Sequence, residues 1–437
     1  MKVLMLGWEY PPHISGGLGV ACEGLTKALA KLDIKISFLF PNASGDESCN
    51  HMELIGLSQS GSAQTLSESE SEKDNPAIQK QGIPSQLMPY LNEDQYQNLF
   101  EKHLNWIENE SGQTSNLSNQ NSKNYSINLF EEVHKFSAST NALADQYDFD
   151  LIHAHDWMTF PAAVELSKKT NKPLVLHVHS IEHDRGAFGG DQRIQEVEKN
   201  GLKAADLVIC VSQYTKSRVQ HFYQIPDSKV VCIHNGLELS GDVKDRDARE
   251  SVHKIKTVLY LGRVTYQKGP EYFIEMAKEL LKTRDDVCFK IAGNGDLLLP
   301  IQALIQEEGL EEHFEILGFI SGKEKPEVWK QADVFVMPSV SEPFGLTAIE
   351  ALDYGVPTII TKQSGVSEVL NHALKYNFWD TKRLTRLVDS LLDYPEVRNH
   401  IALKGKQETE NITWEKTALK VKKSYDNVLN STNAISI

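Results

Sequence analysis

The chain has 437 residues, with 45 Lys and Arg against 60 Asp and Glu, a formal net charge of -15. At roughly 150 residues per domain this length implies two or three domains, and the acidic balance excludes a protein that coats nucleic acid, whose phosphates demand a basic surface. No apolar run approaches the ~18–20 residues needed to span a bilayer, so no stable membrane anchor is expected.

The elements alternate from the start. Residues 3–6 form a short apolar strand and residues 7–19 a loop rich in Gly and Pro. Residues 20–32 follow with helical periodicity, Ala21, Leu25, Ala28, Leu29 and Leu32 sharing one face. Residues 34–40 are the next strand, ended by Pro41. This βαβ unit implies a parallel sheet. The N-terminus reads as a first buried strand and not as a signal peptide. The scattered cysteines Cys22, Cys49, Cys210, Cys232 and Cys288 lack any CxxC spacing and read as reduced thiols. A cytoplasmic protein is expected on both grounds.

Composition changes over residues 42–128, which are rich in Ser, Asn, Gln and Glu and carry about half of the net negative charge. Residues 58–71 and 111–126 are low-complexity stretches unable to fill a core, and residues 93–108 between them suit one helix. The region reads as a partly disordered polar insertion in the first domain. Order returns with a helix at 126–145, then strands at 150–155, 173–179, 207–211 and 230–233 with helices at 197–204 and 215–222. The charged stretch 237–254 is the linker candidate.

A second βα series has strands at 257–261, 287–292, 314–317, 334–337 and 358–361, with Gly or Pro at nearly every strand end. The fold class is therefore α/β: two doubly wound Rossmann-like domains facing a cleft, with a polar insertion in the first. The boundaries fall at 1–236, 237–254 and 255–412, with a closing helical segment at 413–437. Ligands of such sheets sit at the carboxyl ends of the strands.

Several segments carry candidate chemistry. The run Ser15-Gly16-Gly17-Leu18-Gly19 stands directly before a helix, where backbone N–H groups favour an anion. The alternative is a tight turn without a ligand. A dinucleotide fingerprint is disfavoured, because the spacing ends on Cys22 and the second strand closes on Pro41-Asn42 with no acid for a ribose. The loop from Gly262 to Pro270 holds Arg263 and Lys268. Arg clamps a diphosphate bidentately and Lys as a point charge. Otherwise both are solvated surface cations. Gly293 marks a further turn after the next strand. In the segment 337–351 a strand end is followed by Glu342 in the loop and by Gly345, Leu346 and Thr347 at a helix start, with Glu350 on the helix. A loop carboxylate accepts hydrogen bonds from sugar hydroxyls, and a helix carboxylate beside the same anion site suits a ribose diol. The alternative is an N-terminal helix charge plus a surface Glu. Histidines cluster as His153-Ala154-His155-Asp156-Trp157 and His177-Val178-His179, with His183-Asp184-Arg185 next. Alternation on a strand puts His177 and His179 on one face. These pairs raise a metal-dependent hydrolase, buried histidines bonded to backbone, or a single cleft histidine, which fits His179 best.

Together the motifs resemble the family-4 retaining glycosyltransferases of the GT-B fold, closest to bacterial and archaeal glycogen or starch synthases. The matching pieces come in the family's order: Gly16–Leu18, His153–Trp157, His179, His234-Asn235-Gly236, Gly262–Gly269, Ser341–Leu352 and Thr413-Trp414-Glu415. The resemblance implies that Arg263 and Lys268 hold the donor diphosphate with the Gly16-Gly17-Leu18 turn. Gly293, Phe344, Gly345 and Leu346 complete the donor site. Glu342 contacts the sugar, Glu350 the ribose, His179 the reaction centre, and Asp156 the sugar or acceptor. It also implies that the last helix, from about Trp414, crosses back onto the first domain. A departure stands at Ser364-Gly365, where the family has Gly-Gly.

The implied activity is transfer of a hexose, glucose above all, from ADP- or UDP-hexose to the non-reducing end of an α-glucan. No cofactor and no metal is expected: two cations and helix N–H groups stabilise a leaving diphosphate, and no Asp-x-Asp motif stands at a suitable loop. The alternatives are a surface-polysaccharide or lipid-linked acceptor with the same donor class, the hydrolase, which leaves the second domain unexplained, and a non-catalytic sugar-nucleotide sensor.

Overall fold

The computed structural model describes residues 1–12, 14, 16–41, 47, 49–57, 63–66, 129–186, 190–240, 255–320 and 322–435, with backbone alone at 63–66 and 432–435. The helix expected at 93–108, the low-complexity stretch 111–126 and most of the linker candidate lie outside the described residues.

The first sheet contains β1 (Lys2–Leu6), β2 (Lys35–Phe40), β3 (Glu53–Leu57), β4 (Ala63–Leu66), β5 (Leu151–His155), β6 (Leu174–Val178), β7 (Leu207–Cys210) and β8 (Val230–Cys232). Their order is β4-β3-β2-β1-β5-β6-β7-β8. From β3 through β6 neighbours pair in parallel, and β4 is antiparallel to β3. Strands buried on both faces read as continuous apolar runs, which is why β1, β2 and β5 are evident in the sequence. β3 corrects the insertion read over 42–128. Its Leu54, Ile55 and Leu57 are buried core residues inside a polar composition.

The helices of this half are α1 (Gly17–Ala30), α2 (Leu129–Leu143), α3 (Phe160–Thr170), α4 (Glu182–Arg185), α5 (Gln192–Ala204) and α6 (Gln213–Tyr223). α1 begins at Gly17, so Gly17, Leu18 and Gly19 form its first turn and are not loop. The buried Glu9 side chain makes this start tenable, since its Oε1 accepts the Gly19 N–H at 3.0 Å. An otherwise orphaned helix donor is thereby satisfied.

The second sheet contains β9 (Lys256–Leu261), β10 (Val287–Ala292), β11 (Phe314–Gly318), β12 (Val334–Met337), β13 (Thr358–Thr361) and β14 (Leu374–Tyr376). All its pairings are parallel, in the order β11-β10-β9-β12-β13-β14. Counted within the sheet this is 3-2-1-4-5-6, the Rossmann order, whose strand sequence reverses between the first and fourth strands. Its helices are α7 (Pro270–Leu280), α8 (Leu298–Glu307), α9 (Lys325–Gln331), α10 (Leu346–Asp353), α11 (Thr381–Asp393) and α12 (Pro395–Thr409), followed by α13 (Trp414–Ile435). One layer of its core joins Phe273, Phe289, Ile291, Val336 and Leu384. The other joins Leu259, Phe335, Trp329, Ile349 and Leu352.

Contacts divide the chain into two units. One comprises Met1–Val178, Asp191–Ile209 and Lys422–Ile437, the other His179–Gly190 and Cys210–Val421. The expected boundary at 236 therefore differs from the packing boundary. Residues from 210 onward join the second unit because Ser212 Oγ donates to the Pro343 carbonyl at 2.6 Å, and the Glu368 carboxylate accepts the N–H groups of Gln213 and Tyr214 at 2.9 and 2.7 Å.

Candidate active site

In the second sheet the order reverses between β9 and β12, so the loops after these two strands flank the switch point, where open α/β sheets bind ligands. Both carry the residues singled out from sequence. After β9 the chain runs through Arg263 into a short turn, Tyr266–Lys268, and enters α7 at Pro270. Gly269 joins turn and helix with φ of 59°, and a Cβ there would lie 2.5 Å from the Pro338 carbonyl oxygen. Only glycine permits this approach of the β9 loop to the end of β12. The Val340 N–H donates to the Gln267 carbonyl at 3.0 Å and ties the loops further.

Lys268 Nζ consequently reaches Glu342 Oε2 at 2.6 Å, and Ser339 Oγ donates to the same oxygen at 3.2 Å. The Glu342 backbone is fixed on both sides. Its N–H donates to the Gln363 carbonyl, and its own carbonyl accepts the Gly365 N–H, each at 2.9 Å. Phe344 follows, buried, its carbonyl accepting from the Val366 N–H at 2.7 Å.

Gly345 caps α10 with φ of 111°, and a Cβ there would sit 3.0–3.2 Å from Val366, Met337 and Glu342. Gly345 has no side chain with which to cap this helix. The first N–H groups of α10, at Leu346 and Thr347, are of the kind that a helix start offers an anion, while the Ala348 N–H donates to the Gly345 carbonyl at 3.1 Å. Within α10, Ala348, Ile349, Ala351 and Leu352 are buried. Glu350 lies off that apolar face and meets Lys325, whose Nζ is 3.0 Å from both carboxylate oxygens. Gly293 stands after β10, and its N–H donates to the Gly318 carbonyl at 2.6 Å. The Gly262 N–H donates to the Ala292 carbonyl at 3.0 Å, which holds the β10 turn beside the start of the Arg263 loop.

His179 lies one residue beyond β6 and not on the strand, and it divides with the second unit while His177 divides with the first. The shared strand face expected for these two histidines does not form. Burial lowers the His179 imidazole to a pKa of about 3, so the ring is neutral at neutral pH. Sequence reasoning missed the support behind Glu342. Ser341 Oγ donates to Asp184 Oδ1 at 2.8 Å and lies 3.0 Å from the Tyr214 hydroxyl, and Arg218 pairs with the same Asp184. It also missed Lys325 and Glu368.

The first unit has its own switch point, between β1 and β5. The loop after β1 leads through Gly16 into Gly17 and Leu18 at the start of α1, and the loop after β5 carries Asp156. Asp156 is buried in a left-handed conformation, φ 58°. Its N–H donates to the His177 carbonyl at 3.0 Å, and its carbonyl accepts from the Thr159 hydroxyl at 2.9 Å. Asp156 and Glu9 are close enough to Cys22 of α1 to reinforce the upward shift that burial gives its thiol.

The hydrolase alternative rests on the pairs His153/His155 and His177/His179, of which His153, His155 and His177 bring nitrogens within 4.8 Å of one another. The rings are fully buried and stacked, with centroids 4.5–5.3 Å apart and planes within 28°. Imidazole lone pairs lie in the ring plane, so rings stacked in this way do not aim three of them at one point. The trio instead packs as part of the core, with His153 Nδ1 bonded to the Tyr425 hydroxyl.

Two sequence-family models match this chain. "Glycosyl transferases group 1" covers residues 243–408, and "Glycosyltransferase Family 4" covers residues 123–240. Together they span well over half of the chain and place it in the group 1 glycosyltransferases, with two Rossmann-like domains of the GT-B kind. An uncharacterized glycosyltransferase of Methanocaldococcus jannaschii is 27% identical, over 96% of either chain. The glycogen synthase of Mycobacterium tuberculosis is 23% identical, over 97% of this chain and 94% of the relative. Among solved structures, the sucrose-phosphate synthase of Thermosynechococcus elongatus aligns with a TM-score of 0.73 at 20% identity, covering 98% of this chain and 99% of that one. The closeness to glycogen synthases expected from the motifs is thus a distant similarity. Among the described residues no helix is long and apolar enough to cross a membrane.

Proposed function

We propose that the protein is a retaining hexosyltransferase that moves glucose from ADP- or UDP-glucose to the non-reducing end of an α-glucan. The observation that carries this reading is the Lys268–Glu342 contact at the switch point of the second sheet, beside the uncapped start of α10. A diphosphate at that point meets Arg263, Lys268 and the Leu346 end of α10. Positive charge and free N–H groups aimed at the leaving oxygen favour the transition state more than the ground state. Glu342 becomes available to the sugar hydroxyls when Lys268 turns to the phosphate, and Glu350 becomes available to the ribose diol when Lys325 releases it.

The sugar develops positive charge as its bond to the diphosphate breaks. His179, held neutral by burial, offers a polar group at the reaction centre without adding a cation there. Retention of configuration follows from attack on the face that the diphosphate leaves, with the leaving phosphate taking the acceptor proton. In this reading the second unit binds the donor. The first unit takes the acceptor at its own switch point, with Asp156. The α-glucan acceptor is supported by the similarity to a glycogen synthase over nearly the whole chain.

The test is turnover of a panel of nucleotide sugars in the presence of chelator, with maltooligosaccharides or glycogen as acceptor. Release of ADP or UDP from a glucose donor with lengthening of the glucan is the expected outcome. Donor turnover without lengthening removes the α-glucan and directs the search to surface-polysaccharide or lipid-linked acceptors. No turnover of any donor overturns the reading.

A further inference from the structure

We propose that Cys232, His234 and Glu368 form a binding site for a borderline-soft divalent cation, zinc above all, separate from the donor carboxylates. The three residues come from two elements of the second unit. Cys232 ends β8, and His234 stands two residues later in the His-Asn-Gly segment, which the donor chemistry leaves without a role. Glu368 closes the short helical turn Gly365–Glu368. One donor atom from each falls within 4.8 Å of the others. Cys232 Sγ lies 3.6 Å from His234 Nε2, and Nε2 lies 2.8 Å from Glu368 Oε2.

The sulfur–nitrogen separation is near the edge of a coordination tetrahedron, and the shorter nitrogen–oxygen one is a hydrogen-bond distance that must open by ~0.5 Å to admit the cation. With Zn–S of ~2.3 Å and Zn–N of ~2.0–2.1 Å, a tetrahedral angle puts sulfur and nitrogen ~3.5 Å apart. Thiolate and imidazole select zinc over calcium or magnesium, and a carboxylate oxygen is an accepted third zinc ligand. The cluster is also accessible: the Cys232 and His234 residues are half-buried and Glu368 is exposed. Three protein ligands leave the fourth position to water.

The surroundings already order the ligands. Glu368 is held by the Gln213 and Tyr214 N–H groups at the start of α6, with Oε1 toward Tyr214. Its Oε2 accepts from Gln213 and from His234 Nε2. A cation takes the place of the proton between Nε2 and Oε2, that proton passes to Nδ1 so that the imidazole stays neutral, and the Cys232 thiol loses its proton to solvent. Without the cation, burial and the Glu368 charge hold that thiol at a pKa of about 12. Lys216 and Lys420 act in the opposite direction and favour the thiolate that the metal needs. The site connects to the donor carboxylate, because the turn that Glu368 closes opens with the Gly365 N–H bonded to the Glu342 carbonyl.

The experiment uses the full chain, stripped with chelator and desalted, titrated with Zn²⁺ against a chromophoric chelator and, separately, with Co²⁺. The expected result is one tight zinc and a thiolate-to-cobalt charge-transfer band. Cys232→Ser should abolish the band and weaken zinc by ~10²-fold or more. Glu368→Gln, which keeps an acceptor for the α6 N–H groups, should weaken zinc while retaining the band. No competition with the chelator overturns the proposal, and so does a band and affinity unchanged in Cys232→Ser, which places the metal elsewhere. Melting curves of both variants establish that each is folded.

Discussion

Lys268 Nζ stands 2.6 Å from Glu342 Oε2, so a cation suited to a diphosphate and a carboxylate suited to a sugar neutralise each other before any donor arrives. The Glu342 side chain is nearly buried, and among the described residues Lys268 and Ser339 meet its Oε2. Lys268→Ala and Glu342→Ala should each lower transfer by ~10²-fold or more, the scale of losing one group that stabilises developing charge. Both variants should still melt cooperatively. Activity within a few-fold of the parent in both removes these residues from the site.

Glu350 is expected to act on binding and not on chemistry. A ribose held equally in ground and transition state contributes to KM alone. Glu350→Ala loses hydrogen bonds to a charged group, each ~1.5–3 kcal/mol, so the donor KM should rise ~10-fold or more while kcat changes little. A fall in kcat at unchanged KM places Glu350 at the reaction centre instead.

Much of this site was legible in the sequence, and the reason is physical. β9, β10, β12 and β13 are central parallel strands, which are rich in apolar residues, and the loops after them break with Gly and Pro. The positions of Arg263, Lys268, Glu342 and Glu350 follow once those strands are placed. Three things did not show. β3 lies in a polar stretch whose composition masked its Leu-Ile-Gly-Leu run, and β14 has only three residues. Lys325 and Glu368 sit in unremarkable polar segments, and their importance comes from partners far along the chain, Glu350 and the α6 start. His179 lies just beyond its strand, because β6 ends where the chain leaves the sheet for Asp184 and its partners.

His179 sets a dependence of stability on pH. Its folded pKa, lowered by burial to about 3, lies below an unfolded value near 6.5. Between those values the unfolded chain binds the extra proton, so this group's contribution is complete above ~pH 6.5 and is lost progressively as pH falls toward 3. Unfolding free energies measured by denaturant between pH 4 and 7 should fall less steeply toward acid in His179→Gln than in the parent. Equal slopes contradict a buried neutral imidazole at this position.

Gly269 carries the close approach of the two switch-point loops. Gly269→Ala forces a left-handed Ala, costing ~1–2 kcal/mol, and sets its Cβ 2.5 Å from a backbone oxygen. A loss of about 4 °C or more in Tm is expected, together with weaker donor binding as Lys268 moves from Glu342. An unchanged Tm and donor affinity show that the loops do not need this contact.

Calorimetric titration of the full chain with UDP, ADP and the corresponding glucose nucleotides, in chelator, tests the central claim most directly. Lys268→Ala should weaken the free diphosphate nucleotide and the sugar nucleotide alike, by ~10-fold or more for a lost charge-assisted contact. Glu342→Ala should keep the affinity for the free nucleotide and lose the additional affinity that the glucose confers. A nucleotide that binds Lys268→Ala as tightly as the parent contradicts the assignment of the donor to the switch point of the second sheet.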